Sequence, residues 1–558
     1  MTAETTSTQP KTWKVLGIAI ASGLALSFSH PWSVPLVSNT HGYIIDQWWQ
    51  GLIAWFAMVP LFVILARQTS GKRVWWIAGL SGFFYYYMSI YWVNNAIILY
   101  GGLPWYISVP AVTLLVAYMA FCWTFILWLG WVSSRRLKLN YLLWLPLFWG
   151  AHEYLRNYLF TGFPWQQVGY SQAHILPMLQ TAALWGVYGV SVLIAAVNTV
   201  LAAWWLVRRG EYAFKLRPLK RYTMVVIVLM VFSLAYGTFR LYLNDAAEDR
   251  SPAIKVAVLQ GNINQDIKNR ALNHRDFILG RFTRLQHQAE AANVDLIVWP
   301  EAAYPALLPH NLRNAADLVD IEFPLNAHLL LGAAVVFGTK DGRMTLGNSM
   351  FLIDQTGSVI GRHDKTHLVP FGEYVPFRPI LSKLGIRSIA RVLGNFTTGK
   401  TGHLLRYKET IAGRGTHEVR NGVLICYEGI FPEISREFVN EGANLLVSVT
   451  NDAWYGISSA AYQHLLMYSF RSVENRRATI RAANTGISAF IDSSGRVHQA
   501  TGLYETTWKM REVPLLESMT VYTIVGDVFG WIPLTIVLLM GCAAFVMRIR
   551  SRKKRKQS

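Results

Sequence analysis

Residues 421–433 read "NGVLICYEGIFPE": an apolar run, Gly422 to Ile425, ends on Cys426, with Tyr427 and Glu428 behind it. A short apolar run of this kind has the pattern of a buried strand. A free cysteine in such a place most often packs as a small hydrophobe. The chain has three cysteines, and the other two, Cys122 and Cys542, lie inside long hydrophobic stretches. Cys426 is thus the sole thiol of the polar part of the sequence, with no disulfide partner there. What that thiol is for depends on where the segment sits.

Of 558 residues, 53% are hydrophobic, 15% are charged and 22 are Trp. That balance suits a membrane protein with one soluble part. Stretches free of Asp, Glu, Lys and Arg run over 15–29, 51–66, 74–100, 104–132, 142–151, 182–207, 222–239 and 528–547. A span takes about 20 apolar residues, so the reading is a polytopic domain of eight transmembrane helices. The first stretch shows no clear small-residue cleavage pattern, and further spans follow it. Basic residues fill alternate loops: Arg67, Lys72 and Arg73; Arg135, Arg136 and Lys138; Arg208 to Arg221; and the tail from Arg548. The positive-inside rule puts those loops and both termini in the cytoplasm. Nearly all of the net charge of +20 lies there. The basic balance therefore reports membrane orientation and calls for no nucleic acid. Three units follow: a membrane domain of seven helices over 1–245, an exported domain over 246–518, and a last helix with a basic tail over 519–558.

In an oxidising compartment a lone thiol is a liability unless it is buried or used. The exported part carries strand-like runs at 254–260, 294–300, 328–336, 348–354, 422–428, 444–451 and 487–492. Most are near-continuously apolar, as in sheets covered on both faces. Segments 271–292 and 460–481 read as helices, so the alternation predicts a layered α/β domain. Several strands end on polar residues. "VWPE" delivers Glu301, "GRHDKTHLVPFGEYVP" delivers Lys365, His367 and Glu373, and "LICYE" delivers Cys426 and Glu428. Taken singly, each is an ordinary solvated or structural residue.

Brought together, Glu301, Lys365 and Cys426 make a different object. A thiol attacks only as thiolate, so Cys426 needs a base or a nearby cation. Glu301 can take the proton. Lys365 can steady both the thiolate and the oxyanion formed when a carbonyl is attacked, helped by a backbone N–H near Tyr427. Such a set catalyses acyl transfer through a thioester. The domain has no Cys/His cluster of zinc-type spacing and no Gly-rich phosphate loop, and the reading requires no metal and no cofactor.

The order "WPE", "KTHLVPFGEYVP", "ICYE" resembles the nitrilase (carbon–nitrogen hydrolase) superfamily. "FTGFPWQQVGYSQ" (160–172), "NDAWYG" (451–456) and "RATIRAANTGISA" (477–489), with seven spans before and one after, are similar to its bacterial apolipoprotein N-acyltransferase family. The resemblance covers essentially the whole chain. It implies an αββα sandwich, with Glu301 as general base, Lys365 as oxyanion stabiliser and Cys426 as the acylated nucleophile. It also implies that Glu373 positions the lysine and nucleophile, and that Tyr427 and Glu428 support the site. The implied reaction takes an acyl chain from a membrane glycerophospholipid onto Cys426. It then passes the chain to the α-amine of a diacylglyceryl-cysteine at an apolipoprotein N-terminus. The implied enzyme is a monomer in the bacterial inner membrane with its catalytic domain on the periplasmic side. One departure stands out: family members often carry Trp after the lysine of the "QG…K" segment, where this chain has Asn269 behind Lys268.

Three further readings belong here. Segment 375–396, apolar with Lys383, Arg387 and Arg391, has the composition of an interfacial arm near anionic head groups. Glu153 and Arg156, three apart near the end of the fifth span, read as an intramolecular pair bracing it. "TGFPW" (161–165) is a turn just outside that span, open either to docking the catalytic domain or to lining a lipid route. Two other classes fit less well. A membrane-tethered amidase or nitrilase would share the triad but has no need of eight spans. The other class is a transporter, poorly supported by spans with few internal charges and no matched broken-helix repeat, or a structural membrane protein whose exported domain only binds lipid.

Overall fold

The computed structural model describes residues 12–33, 44–211, 216–315, 318, 321, 323–340, 343–374, 396–399 and 403–557. The expected interfacial arm at 375–396 falls almost wholly outside the described residues. Apolar sequence before residue 250 folds into helices, because a chain in hydrocarbon must satisfy its backbone internally. These are Thr12–Ser27, Gln50–Ala57, Val59–Ala66, Gly71–Ile90, Trp105–Arg136, Tyr141–Tyr158, Ala182–Arg208 and Leu216–Arg250, with Val528–Gln557 at the other end. Among the described helices, Trp105–Arg136, Ala182–Arg208, Leu216–Arg250 and Val528–Lys553 are long and apolar enough to cross a membrane. The stretch read as one span over 51–66 breaks at Met58 into two eight-residue helices.

Two sheets form the second half. One has the strand order Thr507–Pro514, Ala253–Gln260, Leu296–Val298, His328–Lys340, Arg343–Ile353, Val359–Asp364, with a short strand Leu307–Pro309 beside His328–Lys340. The other runs Val497–His498, Ala489–Ile491, Thr479–Ala483, Leu445–Thr450, Gly415–Ile425, Leu405–Ile411. The central pairs are parallel: 296–298 with 253–260 on one side and 328–340 on the other, and 445–450 with 415–425 on one side and 479–483 on the other. Side chains alternate across each strand. Val256 and Val258 thus meet Val423, Ile425 and Val447 between the sheets. Ala257 and Leu259 face the outer helix Arg275–Glu290 through Phe282 and Leu285. Leu424 and Leu446 face Phe438 and Leu465, from the helices Pro432–Asn440 and Ala460–Asn475. Both faces of both sheets are covered, which is why the strand runs carry no polar alternation.

Two further sequence readings are corrected. The helix expected over 460–481 ends at Asn475: Arg476 is left-handed (φ 50°, ψ 54°), and Thr479–Ala483 is a central strand. Nothing in "RSVENRRATIR" marks that break, because the strand is selected by its buried place between two neighbours. Glu153 and Arg156, read as a pair, make no ion pair. Glu153 Oε1 instead accepts from Trp149 Nε1 (3.0 Å) and Val168 N (2.8 Å). Arg156 donates to the carbonyls of Phe163 (3.1 Å) and Trp165. The chain after the helix folds back over both side chains and supplies backbone partners that spacing alone does not reveal.

Candidate active site

The strand Gly415–Ile425 stops at Cys426, where the backbone turns with φ +55°. A non-glycine residue rarely holds that conformation unless its surroundings impose it. Here Glu428 imposes it. Its Oε2 accepts from Ile425 N (2.7 Å), before the turn. Its Oε1 accepts from Thr366 N (2.6 Å), Thr366 Oγ1 (2.8 Å) and His367 N (3.2 Å). One carboxylate thus ties the cysteine turn to the loop that carries Lys365. Burial opposes ionisation of Glu428, but the His363 ring nearby and these backbone N–H groups outweigh it and hold the pKa at about 2. On the far side, Tyr468 Oη donates to the Cys426 carbonyl (3.2 Å).

Glu301 follows the strand Leu296–Val298. Its loop crosses Gly332 so closely that a Cβ there would lie 2.2 Å from the Pro300 carbonyl oxygen, so only glycine fits. Glu301 Oε1 accepts from Asn348 Nδ2 (2.6 Å) and lies 3.4 Å from Lys365 Nζ, while Oε2 accepts from Asn451 N (2.9 Å). Lys365 comes from the end of the strand Val359–Asp364, with its N–H bonded to the Asn348 carbonyl (2.8 Å). Its Nζ donates to Glu373 Oε1 (2.8 Å), and Glu373 Oε2 accepts from Val369 N (2.8 Å). Burial by itself would lower the Lys365 pKa, yet Glu373 and then Glu301 reverse it and leave the ammonium firmly charged. Cys426 is 7% exposed, and Glu301 and Lys365 both act on it electrostatically. Burial pushes its thiol pKa up, Glu301 adds to that, and Lys365 works against it. The resting group is therefore a protonated thiol, with the Glu301 carboxylate as the nearby base.

The six residues to which the family resemblance gives roles gather here: Glu301, Lys365 and Cys426, with Glu373, Tyr427 and Glu428 around them. His367 packs its ring 4.1 Å from that of Phe431, as a structural residue. Sequence reasoning missed Asn348 and Asn451, which hold the Glu301 carboxylate. Asn451 opens the quoted "NDAWYG" segment, but asparagine at a strand end reads as a turn residue.

The site rests on the membrane helices. Phe160, Thr161 and Gly162 take φ values of 52°, 78° and 83°, and the Gly162 carbonyl accepts from Tyr427 Oη (2.9 Å). Phe163 stacks on Tyr427 at 6.2 Å, and Asn157 Nδ2 donates to Glu433 Oε1 (2.8 Å). The "TGFPW" turn therefore docks the catalytic domain directly behind the cysteine. Gln463, 3% exposed, completes the joint. It donates to the Pro31 (2.8 Å) and Ser89 (3.2 Å) carbonyls and accepts from Trp92 (3.1 Å) and Trp165 (2.8 Å) indole N–H groups.

A cysteine on a constrained turn, flanked by a held carboxylate and a buried ammonium between two helix-covered sheets, belongs to the carbon–nitrogen hydrolase class, whose family description matches residues 255–515. Residues 22–200 match the apolipoprotein N-acyltransferase N-terminal domain. A protein of Geobacter metallireducens named apolipoprotein N-acyltransferase is 38% identical, over 92% of each chain. Proteins of the same name from Brucella melitensis and Allorhizobium ampelinum are 30% and 31% identical, over 97% of each chain and over 90% and 91% of the two. The chain belongs to the apolipoprotein N-acyltransferase family.

Proposed function

We propose that this chain moves an acyl group from a membrane glycerophospholipid to the α-amine of an S-diacylglyceryl-cysteine at the N-terminus of an apolipoprotein, through a thioester on Cys426. Glu301 takes the thiol proton as sulfur attacks the ester carbonyl. Lys365 and a backbone N–H at Tyr427 hold the tetrahedral oxyanion. Its collapse breaks the ester C–O bond, and Glu301 returns the proton to the departing lysophospholipid oxygen. The amine then attacks the thioester and its proton passes to Glu301. The C–S bond breaks, an amide remains, and the thiolate regains its proton. Glu373 keeps Lys365 aimed, and Glu428 keeps the cysteine turn in place.

The observation that carries this reading is the joint between the cysteine turn and the membrane-domain loop, Tyr427 Oη on the Gly162 carbonyl. A hydrolase of small soluble amides has no use for a nucleophile docked on apolar helices. Distribution of Lys and Arg supports eight spans, cytoplasmic termini and a catalytic domain on the outer, periplasmic face of the inner membrane. The units are 1–245, 246–518 and 519–558, and the enzyme works as a monomer. Cysteine-scanning labels placed in the 67–73 and 135–138 loops test the sidedness: protection from an impermeant reagent in whole cells supports it. Replacing Cys426 by Ala should abolish transfer in lipid vesicles, and residual transfer would refute the thioester route.

A further inference from the structure

A second lysine is bonded to the Glu301 backbone and interacts electrostatically with the cysteine. Lys268 lies on the short helix Gln265–Asn269, and its Nζ donates to the Glu301 carbonyl oxygen (3.0 Å), its single hydrogen bond among the described residues. The groups that act on it electrostatically are Glu301 and Cys426. The helix is clamped in place. Gln265 Oε1 accepts from Asn451 Nδ2 (2.7 Å), Asn451 Oδ1 accepts from Asn484 Nδ2 (2.9 Å), and Asn484 Oδ1 accepts from Ile263 N (2.9 Å). Asn269 takes part by accepting from Gln265 Nε2 (2.8 Å), which turns the Gln265 oxygen toward Asn451.

The charges explain what this lysine does. The groups that interact electrostatically with Cys426 are Glu301, Lys365, Lys268, Asp452 and the phenols of Tyr427, Tyr455 and Tyr468. Asp452 is matched by Arg481 (2.7 Å) and touched by His464 (3.1 Å). Lys365 is matched by Glu373 (2.8 Å). Glu301 is then left as a buried carboxylate beside a thiol, and a net negative site resists making a thiolate. Resting on the reading of Cys426 as nucleophile, we propose that Lys268 is the second cation of this site: a positioning residue that fixes the Glu301 loop and brings Glu301, Glu373, Lys365 and itself to zero net charge. Proton transfer from sulfur to Glu301 then occurs inside a neutral cluster. Burial lowers the Lys268 pKa to about 8, with Glu301 and Cys426 opposing, so its charge is present at neutral pH and lost just above it.

The test is the rate of iodoacetamide alkylation of Cys426 against pH, read by peptide mass spectrometry on the full-length protein in lipid nanodiscs. Peptide-level reading separates Cys426 from Cys122 and Cys542. Lys268→Met and Lys268→Gln are expected to slow alkylation at pH 7.5 by about tenfold, one unit of thiol pKa. Lys268→Arg keeps the rate at pH 7.5 within about twofold, and its rate relative to the parent rises above pH 8 because arginine stays charged. Unchanged profiles in the Met and Gln variants would overturn the proposal. So would an Arg variant as slow as Met, since shape and not charge would then matter. Alkylation needs no acyl donor. If Cys426→Ala still transferred acyl chains, the reading of the nucleophile would fail while the profile still reported on Lys268.

Discussion

Glu428 shows how one residue holds the site. It accepts from three backbone N–H groups and one hydroxyl across two loops, with its side chain fully buried. Glu428→Gln puts an NH₂ against N–H donors, and is expected to cost about 3 kcal/mol of stability. Acyl-enzyme formation should slow in parallel, because the Cys426 turn loses its tie. Its pKa is depressed from 4.5 to about 2, so its contribution is present above pH 4.5 and is lost as pH falls toward 2. Melting temperatures of the parent should drop steeply through that window, while those of Glu428→Gln stay flatter. Equal slopes would remove Glu428 from this role. Gly429 makes a harsher case. A Cβ there would lie 2.0 Å from Tyr468 Oη, the group that holds the Cys426 carbonyl. Gly429→Ala should therefore impair Cys426 alkylation even where the protein still folds.

The helix Ala460–Asn475 is the element that joins the two halves. One face packs Leu465 and Tyr468 on the sheet, and the other sends Leu466, Met467, Phe470 and Val473 into the membrane-domain core. Gln463 on this helix fills its amide with membrane-domain partners; Trp92 Nε1 also donates to the Ser89 carbonyl (3.1 Å), so Gln463→Ala leaves the Trp165 indole N–H and the Pro31 carbonyl without a partner in a buried joint. The expected loss is about 2–4 kcal/mol, seen as earlier protease release of the catalytic domain; an unchanged digestion pattern would contradict it. This element also marks what sequence could and could not convey. Cys426, Glu301 and Lys365 were legible because each sits at a strand end and carries chemistry that a core has little use for. Asn348 and Asn451 were not, since their function lies in the direction of a side chain fixed by strands distant in sequence. The end of the helix was missed because Thr479–Ala483 becomes a strand through pairing with 445–450, a tertiary effect absent from local pattern. Layering was legible from runs such as "LLVSVT", whereas the break at Met58 was hidden by uniform hydropathy.

At the scale of the molecule, the interface behind the site is rich in carboxylates. Glu433 and Glu474 lie there with Asp527, beside Arg471 and the Asn157 amide. Burial lifts Glu433 to about 7 and Glu474 to about 8, with Asp527 adding to both and Arg471 opposing. A carboxyl whose pKa is raised on folding stabilises the fold below its unfolded value near 4.5 and loses that contribution as pH rises through the folded value. Docking of the two halves should thus weaken between about pH 5 and 8, and Glu433→Gln should raise the melting temperature at pH 8 with little change at pH 5. A rise of equal size at both values would contradict the charge argument.

The whole account turns on a thioester at Cys426. Purified protein mixed with a defined phospholipid should gain the mass of one acyl chain, as read by intact-protein mass spectrometry. The adduct should be sensitive to hydroxylamine, absent from Cys426→Ala, and discharged by a diacylglyceryl peptide with formation of an amide. An adduct released as readily by water as by the peptide, or no adduct on folded protein in lipid, would contradict it.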